Sequence, residues 1–290
     1  MIKRTIQYLI DLFPFNMIVV KLNGRMGNHI FQYAFAFAAG KKLRTNYVID
    51  DTLTKDIFAK YFCRLSITDI GYLRKLMLKI FTLKIKKTHL IQSGDDNIDD
   101  SLKLLTDNCY YDGYFQSVQF FKEVEQDILK RIRVKKFYRN AFDSKYSQLF
   151  NSKKILAIHY RIGDYLTWGF ESLGGANVAL PEDYYQKALL KITNLDEYQV
   201  IIVTDDIKSL RDCLPDINNK MIVSESEIID FQILLNADTL IISNSSFAWW
   251  AAYLNKKKTV VYAPKHWLGF KVKREYPAGI IPQEFIEVEF

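Results

Sequence analysis

The sequence predicts an α/β protein of two domains whose sheets are mainly parallel. Three observations predict it. Strand-like runs of β-branched residues alternate with helix-like segments through both halves of the chain, as parallel sheets covered on both faces require. A glycine-bearing turn at residues 23–28 separates the first strand from the first helix. And 290 residues, 49% of them apolar, suffice for two cores of ordinary domain size, which we divide as 1–150 and 151–290.

Met17-Ile18-Val19-Val20-Lys21-Leu22 reads as the first strand, Asn23-Gly24-Arg25-Met26-Gly27-Asn28 as a tight turn, and residues 29–43 as a helix. Tyr47-Val48-Ile49 is the next strand and ends at Asp50-Asp51. The glycines fall short of the full dinucleotide pattern, so they either let the chain turn or let a ligand approach. Arg25, Asn28, His29 and Gln32 support the second reading, being a run of donors at a strand end, where open α/β sheets place ligands. Residues 70–91 carry Arg74, Lys75, Lys79, Lys84, Lys86 and Lys87, with no acid between Asp69 and Asp95. That is either a solvated helix face in an insertion or a basic amphipathic segment suited to an anionic bilayer. Residues 95–100 read as an acidic surface loop, and Gly113-Tyr114-Phe115-Gln116-Ser117 leads into a helix ending near residue 133.

The second half opens with the strand Ile155-Leu156-Ala157-Ile158, which runs into His159-Tyr160-Arg161-Ile162-Gly163-Asp164-Tyr165. A loop with Gly169, Gly174 and Gly175 follows, then a helix from Pro181. Val200-Ile201-Ile202-Val203 is a strand ending at Thr204-Asp205-Asp206, residues 207–213 a helix, and Met221-Ile222-Val223 a short strand. A helix at 228–236 precedes the strand Thr239-Leu240-Ile241-Ile242; Thr259-Val260-Val261-Tyr262 is the last strand expected. Between these two strands, Ser243-Asn244-Ser245-Ser246 leads into an aromatic helix containing Phe247, Trp249 and Trp250. Such a turn aims backbone N–H groups and hydroxyls at a point in front of the helix where an anion is favoured. An ordinary cap needs one hydroxyl; three in four residues, followed by a Trp pair, point to a diphosphate at Ser245 and Ser246.

Charge and composition narrow the class. The net charge of +7 is uneven: residues 1–150 carry 25 Lys+Arg against 15 Asp+Glu, residues 151–290 carry 15 against 18. A basic half suggests nucleic acid, an anionic membrane or an acidic ligand. Residues 70–91 hold only Tyr72 and Phe81 as aromatics, too few for a nucleic-acid groove, so no nucleic acid is expected as partner. Cysteines at 63, 109 and 213 with no Cys-x-x-Cys pair argue against a disulfide framework and fit a reducing compartment. No run approaches the ~18 apolar residues of a membrane span, and no cleavage signature follows Lys3 and Arg4, so a cytoplasmic protein is expected.

His159, Arg161, Asp164, Asp205, Ser245 and Ser246 all fall at carboxyl ends of expected strands. A guanidinium at Arg161 matches phosphate with a fork of donors and keeps its charge; the alternative is a surface Arg or one salt-bridged to Asp164. Asp164 would orient Arg161 or serve as a base, the first being favoured. His159 could be a base, a ligand, a donor or a satisfied buried residue. There is no Asp-x-Asp, and adjacent Asp205 and Asp206 leaving a strand point apart, so no metal is expected.

Together these motifs resemble glycosyltransferase family 11, the bacterial α-1,2-fucosyltransferases. The resemblance runs from about residue 18 to 269 and rests on residues 24–34, 113–117, 159–165, 204–206 and 243–254, and on Ala263-Pro264-Lys265-His266-Trp267. It implies a GT-B-like fold, two Rossmann-like domains with mainly parallel sheets facing across a cleft, the first on the acceptor side. It further implies GDP-β-L-fucose as donor, held mainly by the second domain, and metal-free inversion onto a galactose 2-hydroxyl. By the same resemblance His159 and Asp230 contact guanine, Arg161 the β-phosphate, and Ser245, Ser246 and Phe247 the phosphates and nucleoside. Asn244 and Gly27 join this donor-binding set, while Asn28, His29 and Asp164 complete the catalytic candidates with Arg161. Two departures stand out. Ile162 replaces a usual second Arg, as it also does in protein O-fucosyltransferases, and His29 replaces a usual Gln. The activity implied is fucosyl transfer to a galactose-terminated, lipid-linked oligosaccharide in surface polysaccharide or O-antigen assembly, in the bacterial cytoplasm and in peripheral contact with the membrane. The alternatives are another GDP-deoxyhexose such as GDP-colitose as donor, or an inactive GDP-sugar binder. Asp164, Glu171 and His29 are candidates for the base.

Overall fold

Ten strands, all paired in parallel, form two separate sheets in the computed structural model, which describes residues 16–66, 69–84, 89–92, 97–210, 217, 219–257 and 259–290. The chain divides into two units between Arg133 and Val134, earlier than the division at 150 read from the sequence. The difference is one helix, residues 136–152, which packs on the second unit: Gln232 Nε2 donates to the Tyr138 carbonyl at 3.0 Å, and Glu225 accepts from Tyr146 at 2.9 Å and from Lys145. Only Phe142 and Tyr146 are buried on that helix, a stripe too thin to reveal it by periodicity.

In the first unit the elements are β1 (Met17–Lys21), α1 (Met26–Leu43), β2 (Asn46–Asp50), α2 (Ile57–Tyr61), α3 (Gly71–Lys84), β3 (His89–Gln92), α4 (Ile98–Lys103), β4 (Tyr110–Gly113) and α5 (Glu125–Arg131). The sheet order is β2-β1-β4-β3. Helix α1 is apolar nearly all round and buried from Met26 to Gly40 apart from Asn28, as a helix between a sheet and a second layer must be. Phe35 stacks on Phe115 at 3.8 Å. Strands β3 and β4 are short and lack a β-branched run, which left no strand signal. The acidic segment is in part a helix: Asn97 caps α4 by accepting from the Asp99 N–H at 2.9 Å, and Asp99 and Asp100 occupy its first turn, where carboxylates are favoured. The segment leading to residue 133 is broken into two 3-10 turns before α5 begins.

The basic segment is two-faced. Helix α3 sets Met77 and Leu78 against Met17, Val19 and Val48, and Arg74 is buried with them. The Arg74 guanidinium meets Asp51 at 3.0 Å and Asp56 at 2.5 Å, and donates to the Tyr33 hydroxyl at 3.2 Å. Tyr72, Lys75, Leu76 and Lys79 face outward. Lys86, Lys87 and residues 1–15 lie outside the described residues, as do Cys213 and the end of the helix expected at 207–213. Among the described residues no helix is long and apolar enough to cross a membrane.

The second unit runs α6 (Lys136–Ser152), β5 (Lys154–Tyr160), α7 (Glu182–Leu189), β6 (Tyr198–Thr204), α8 (Ile207–Leu210), β7 (Lys220–Val223), α9 (Glu227–Leu235), β8 (Thr239–Ile241), α10 (Ser246–Tyr253), β9 (Val260–Pro264) and β10 (Ile286–Val288). Its order is β10-β9-β8-β5-β6-β7. The chain builds outward from β5 through β6 to β7, then returns to the other side of β5 with β8. That reversal makes the carboxyl ends of β5 and β8 the crevice where such sheets bind ligands. The register pairs His159 with Val203 and Ile158 with Ile241, so β5 delivers its last residues into the crevice. The pair Trp249 and Trp250 is core: both are fully buried, and Trp249 Nε1 donates to the Ile280 carbonyl at 2.7 Å. Packing accounts for the Trp pair after the turn, so the pair is no sign of a ligand there.

Removing the buried cation on α3 leaves two carboxylates without it. Arg74→Ala therefore destabilises the protein by about 3–5 kcal/mol, while Lys75→Ala on the exposed face changes stability by less than about 0.5 kcal/mol; urea unfolding of both variants checks this.

Candidate active site

The site in the second unit is built on Arg161, one residue past β5. Asp164 accepts from its Nη2 at 2.6 Å, and Asp205 takes its Nη1 at 2.9 Å. The other Asp205 oxygen accepts the Ile162 N–H at 2.9 Å. Gly163 makes this possible, since a Cβ there would stand 2.6 Å from Asp205 Oδ2. The salt-bridged state weighed for Arg161 is thus the one observed, and it aims the guanidinium: two carboxylates engage two corners of the fork, and its other N–H donors lie outside these two ion pairs. The fork lies over the Tyr165 ring at 5.3 Å, and the Tyr165 hydroxyl donates to the Asn244 carbonyl at 3.3 Å. Burial pushes that phenol up to about 12, so it stays a donor. Tyr165 thereby ties Arg161 to the turn before α10.

In that turn the three serines divide their work. Ser243 is fully buried, and its hydroxyl hydrogen-bonds His159 Nδ1 at 2.8 Å. Ser245 is the residue before α10, its N–H donating to the Ser243 carbonyl at 2.8 Å and its side chain capping nothing. Ser246 opens the helix and is half-buried, like Phe247. Asn244 is buried and donates Nδ2 to the Val178 carbonyl at 2.9 Å, while its Oδ1 has no partner among the described residues. A buried acceptor left so costs about 1–3 kcal/mol.

His159 lies beside Phe247, ring centroids 5.6 Å apart, and Phe247 meets Phe231 edge-on at 5.4 Å. Burial first, then the Arg161 charge, pushes the imidazole down to about 3. His159 is therefore neutral and serves as a hydrogen-bonding group. Next to Phe231 on α9, Asp230 is buried and accepts the Glu225 N–H at 3.1 Å. Burial pushes its carboxyl up to about 6 despite that bond. Ile162 turns into the core with Leu180 and Tyr184, so position 162 adds no charge to the site.

Asp205 and Asp206 do diverge. Asp206 accepts the Lys208 and Ser209 N–H groups at 3.0 and 3.2 Å at the start of α8, so the pair is split between Arg161 and a helix cap. Among the described residues no three His, Cys, Asp or Glu side chains are grouped to hold a metal ion. The sequence places Asp205 among the strand-end residues without naming Arg161 as its partner, and contains Tyr165 and Ser243 only as motif members. The signal for Asp205 was its place at the end of the strand next to β5.

Gly27, Asn28 and His29 belong to the first unit, at the reversal between β1 and β4. Gln32 closes this corner, accepting the Asn23 N–H at 3.1 Å and donating to the Gly113 carbonyl at 2.9 Å. Asn28 Oδ1 accepts from Gln116 at 2.7 Å, and Gly24, at φ +81°, leaves no room for a Cβ, which would stand 2.2 Å from Asn28 Nδ2. Gly27 is buried in α1. His29 is 0% exposed, and its Nδ1 accepts the Ile57 N–H at 3.2 Å, which places it inside the unit and away from any surface.

The model of glycosyl transferase family 11 matches residues 2–278. The O-antigen biosynthesis glycosyltransferase WbnK of Escherichia coli is 28% identical over 287 residues, 85% of this chain and 93% of that protein. An alpha-1,2-colitosyltransferase of Escherichia coli is 22% identical over 94% of this chain and 99% of its own length. Among solved structures, NodZ alpha-1,6-fucosyltransferase soaked with GDP-fucose superposes with a TM-score of 0.51 at 14% identity, over 82% of this chain and 92% of that one. Fucosyltransferase NodZ from Bradyrhizobium gives 0.51 at 15%, over 81% and 91%. At such identity the likeness carries the fold alone, the GT-B-like pair of parallel α/β units that the motifs implied.

The His159 ring makes a direct check. Its neutral form persists in the folded state down to about 3, whereas the unfolded residue takes a proton near 6.5, so its contribution to stability falls as pH drops below about 6.5. In NMR titration of the 4 histidines, the His159 signals stay at neutral-imidazole positions from about pH 8 to about pH 4.

Proposed function

The chain belongs to glycosyl transferase family 11, and from that premise we propose that it is an inverting, metal-independent enzyme that moves L-fucose from GDP-β-L-fucose to a galactose 2-hydroxyl in O-antigen or surface polysaccharide assembly. The observation that carries the reading is the Arg161 fork, held by Asp164 and Asp205 at the sheet's reversal and tied through Tyr165 to the turn before α10. A diphosphate on Arg161 and the Ser245–Ser246 corner would have its charge met by a guanidinium and by peptide N–H groups aimed before it forms. Guanine would lie against His159, Phe247 and Asp230, the last accepting from the base when ionised, with Asn244 Oδ1 as a further buried acceptor.

In the reaction, the acceptor hydroxyl attacks the anomeric carbon from the face opposite GDP. The bond from carbon to the phosphate oxygen breaks, and the charge left on that oxygen is stabilised by Arg161. The hydroxyl proton passes to a carboxylate. Asp164 and Glu171 are exposed where His29 is buried, so the reading favours Asp164, beside Arg161, which also positions the fork. Gly27, expected in the donor-binding set, and Asn28, expected among the catalytic residues, lie in the first unit. The acceptor is a galactose-terminated, lipid-linked oligosaccharide, and the outward Tyr72, Lys75, Leu76 and Lys79 face of α3 supports peripheral contact with an anionic membrane. A second reading keeps all of this and changes the sugar to colitose, because a colitosyltransferase is similar over 94% of this chain.

Incubation with a panel of GDP-sugars and a β-galactoside, with product analysis, distinguishes the donors; release of GDP from none of them would overturn both readings. Arg161→Ala lowers kcat/KM by about 10²–10³-fold, and EDTA leaves the wild-type rate unchanged. Because Asp230 gains a proton near pH 6 and its ionised form is the stronger acceptor for guanine N–H groups, GDP affinity measured by calorimetry falls as pH drops below about 6. Asp230→Asn binds more weakly with little pH dependence.

A further inference from the structure

Of the 4 tryptophans in the chain, Trp249, Trp250 and Trp267 are buried and Trp168 is 42% exposed. Phe170, two residues on, is 40% exposed. Large aromatic surfaces left in water gain nothing for the fold, and these two are not at the mercy of a slack loop. Trp168 N–H donates to the Asp164 carbonyl at 3.0 Å, Gly175 N–H to the Phe170 carbonyl at 3.2 Å and Val178 N–H to the Tyr165 carbonyl at 3.0 Å. Lys271 Nζ holds the Ala176 carbonyl at 2.6 Å. Gly169, at φ +142°, lets the two arms of the loop close: a Cβ there would stand 2.4 Å from the Gly175 carbonyl oxygen. The rings are set in place in advance, which lowers the ordering cost of binding.

They also continue the site. Arg161 lies over Tyr165, Tyr165 stacks with Trp168 at 6.1 Å and 26°, and Trp168 meets Phe170 edge-on at 5.5 Å. This aromatic run leads outward from the fork to Tyr276, 5.7 Å from Phe170. Asp164, exposed and bonded to Arg161, sets a carboxylate at its inner end, and Glu171, also exposed, follows Phe170 in the chain. An apolar face rimmed by acceptors matches a pyranose, whose C–H face stacks on a ring while its hydroxyls donate.

We propose that Trp168 and Phe170 form a stacking shelf for a sugar ring of the acceptor glycan, leading its terminal hydroxyl toward Arg161 and Asp164. The proposal rests on the glycosyl-transfer reading and deepens it. Trp168, as the only tryptophan not buried, reports on it directly. Acrylamide quenching of tryptophan emission is measured while the intact protein is titrated with methyl β-galactoside, lactose and a β-galactosyl trisaccharide. The expected result is saturable protection from quenching, with Phe170→Ala, which keeps the reporter, weakening apparent affinity about tenfold. Protection absent for all three sugars, or unchanged in Phe170→Ala, would overturn it. So would protection that needs only higher protein concentration or anionic vesicles, because a second copy or a membrane would then cover the shelf. Calorimetry with GDP, run separately, keeps the two readings apart: sugar protection without GDP binding defeats the donor assignment and leaves the shelf standing, and GDP binding without sugar protection does the reverse.

Discussion

One guanidinium held between two carboxylates organises the second unit. Asp164 and Asp205 fix Arg161 from two sides, and each needs a different part of the chain to be in place. Asp164 comes from the short turn after β5, and Asp205 from the end of β6, the strand that pairs with β5 through His159 and Tyr160. Gly163 leaves the space in which Asp205 approaches. A cation so restrained loses little freedom when it meets an anion, and its electrostatic effect is present before any charge develops. The clamp therefore links sheet register to chemistry: a slip between β5 and β6 would move Asp205 away from Arg161.

The surroundings of the clamp keep charges apart by burial. His159 sits two residues before Arg161 and is kept neutral by desolvation and by that neighbour's charge, so the site holds one cation there and not two. Asp230 is buried enough to titrate near 6, within reach of physiological pH. Buried groups pushed this far from ordinary values cluster at working sites more often than elsewhere. The first unit satisfies its buried polar groups in the same way. Gln32 closes the corner between β1 and β4 with a neutral amide, and a cation, Arg74, is buried at α3 only because Asp51 and Asp56 meet it.

Much of this was legible in the sequence, and the limits have physical causes. Each strand expected from a β-branched run is present, and His159, Arg161 and the 243–247 turn do meet at one crevice, because strand ends in a parallel sheet converge on one edge. Strands β3, β4 and β10 escaped because three or four residues without strong alternation carry little signal. Helix α6 escaped because its partner is another helix reached through only two buried side chains. The Trp pair misled: aromatic residues after a polar turn look the same in sequence whether they face a ligand or the core, and burial decides. Asp205 was visible as a strand-end acid, yet its partner could be named only once β5 and β6 were known to be neighbours. The half-exposed pair Trp168 and Phe170 gave no sequence signal, since exposure is set by how the loop is pinned.

The most direct test is the position of the two phosphorus atoms in a crystal structure with GDP. The account requires phosphate oxygens within about 3 Å of the Arg161 guanidinium and of donors at Ser245 or Ser246. A diphosphate seated away from both, with the Asp164–Arg161–Asp205 clamp untouched, would contradict it.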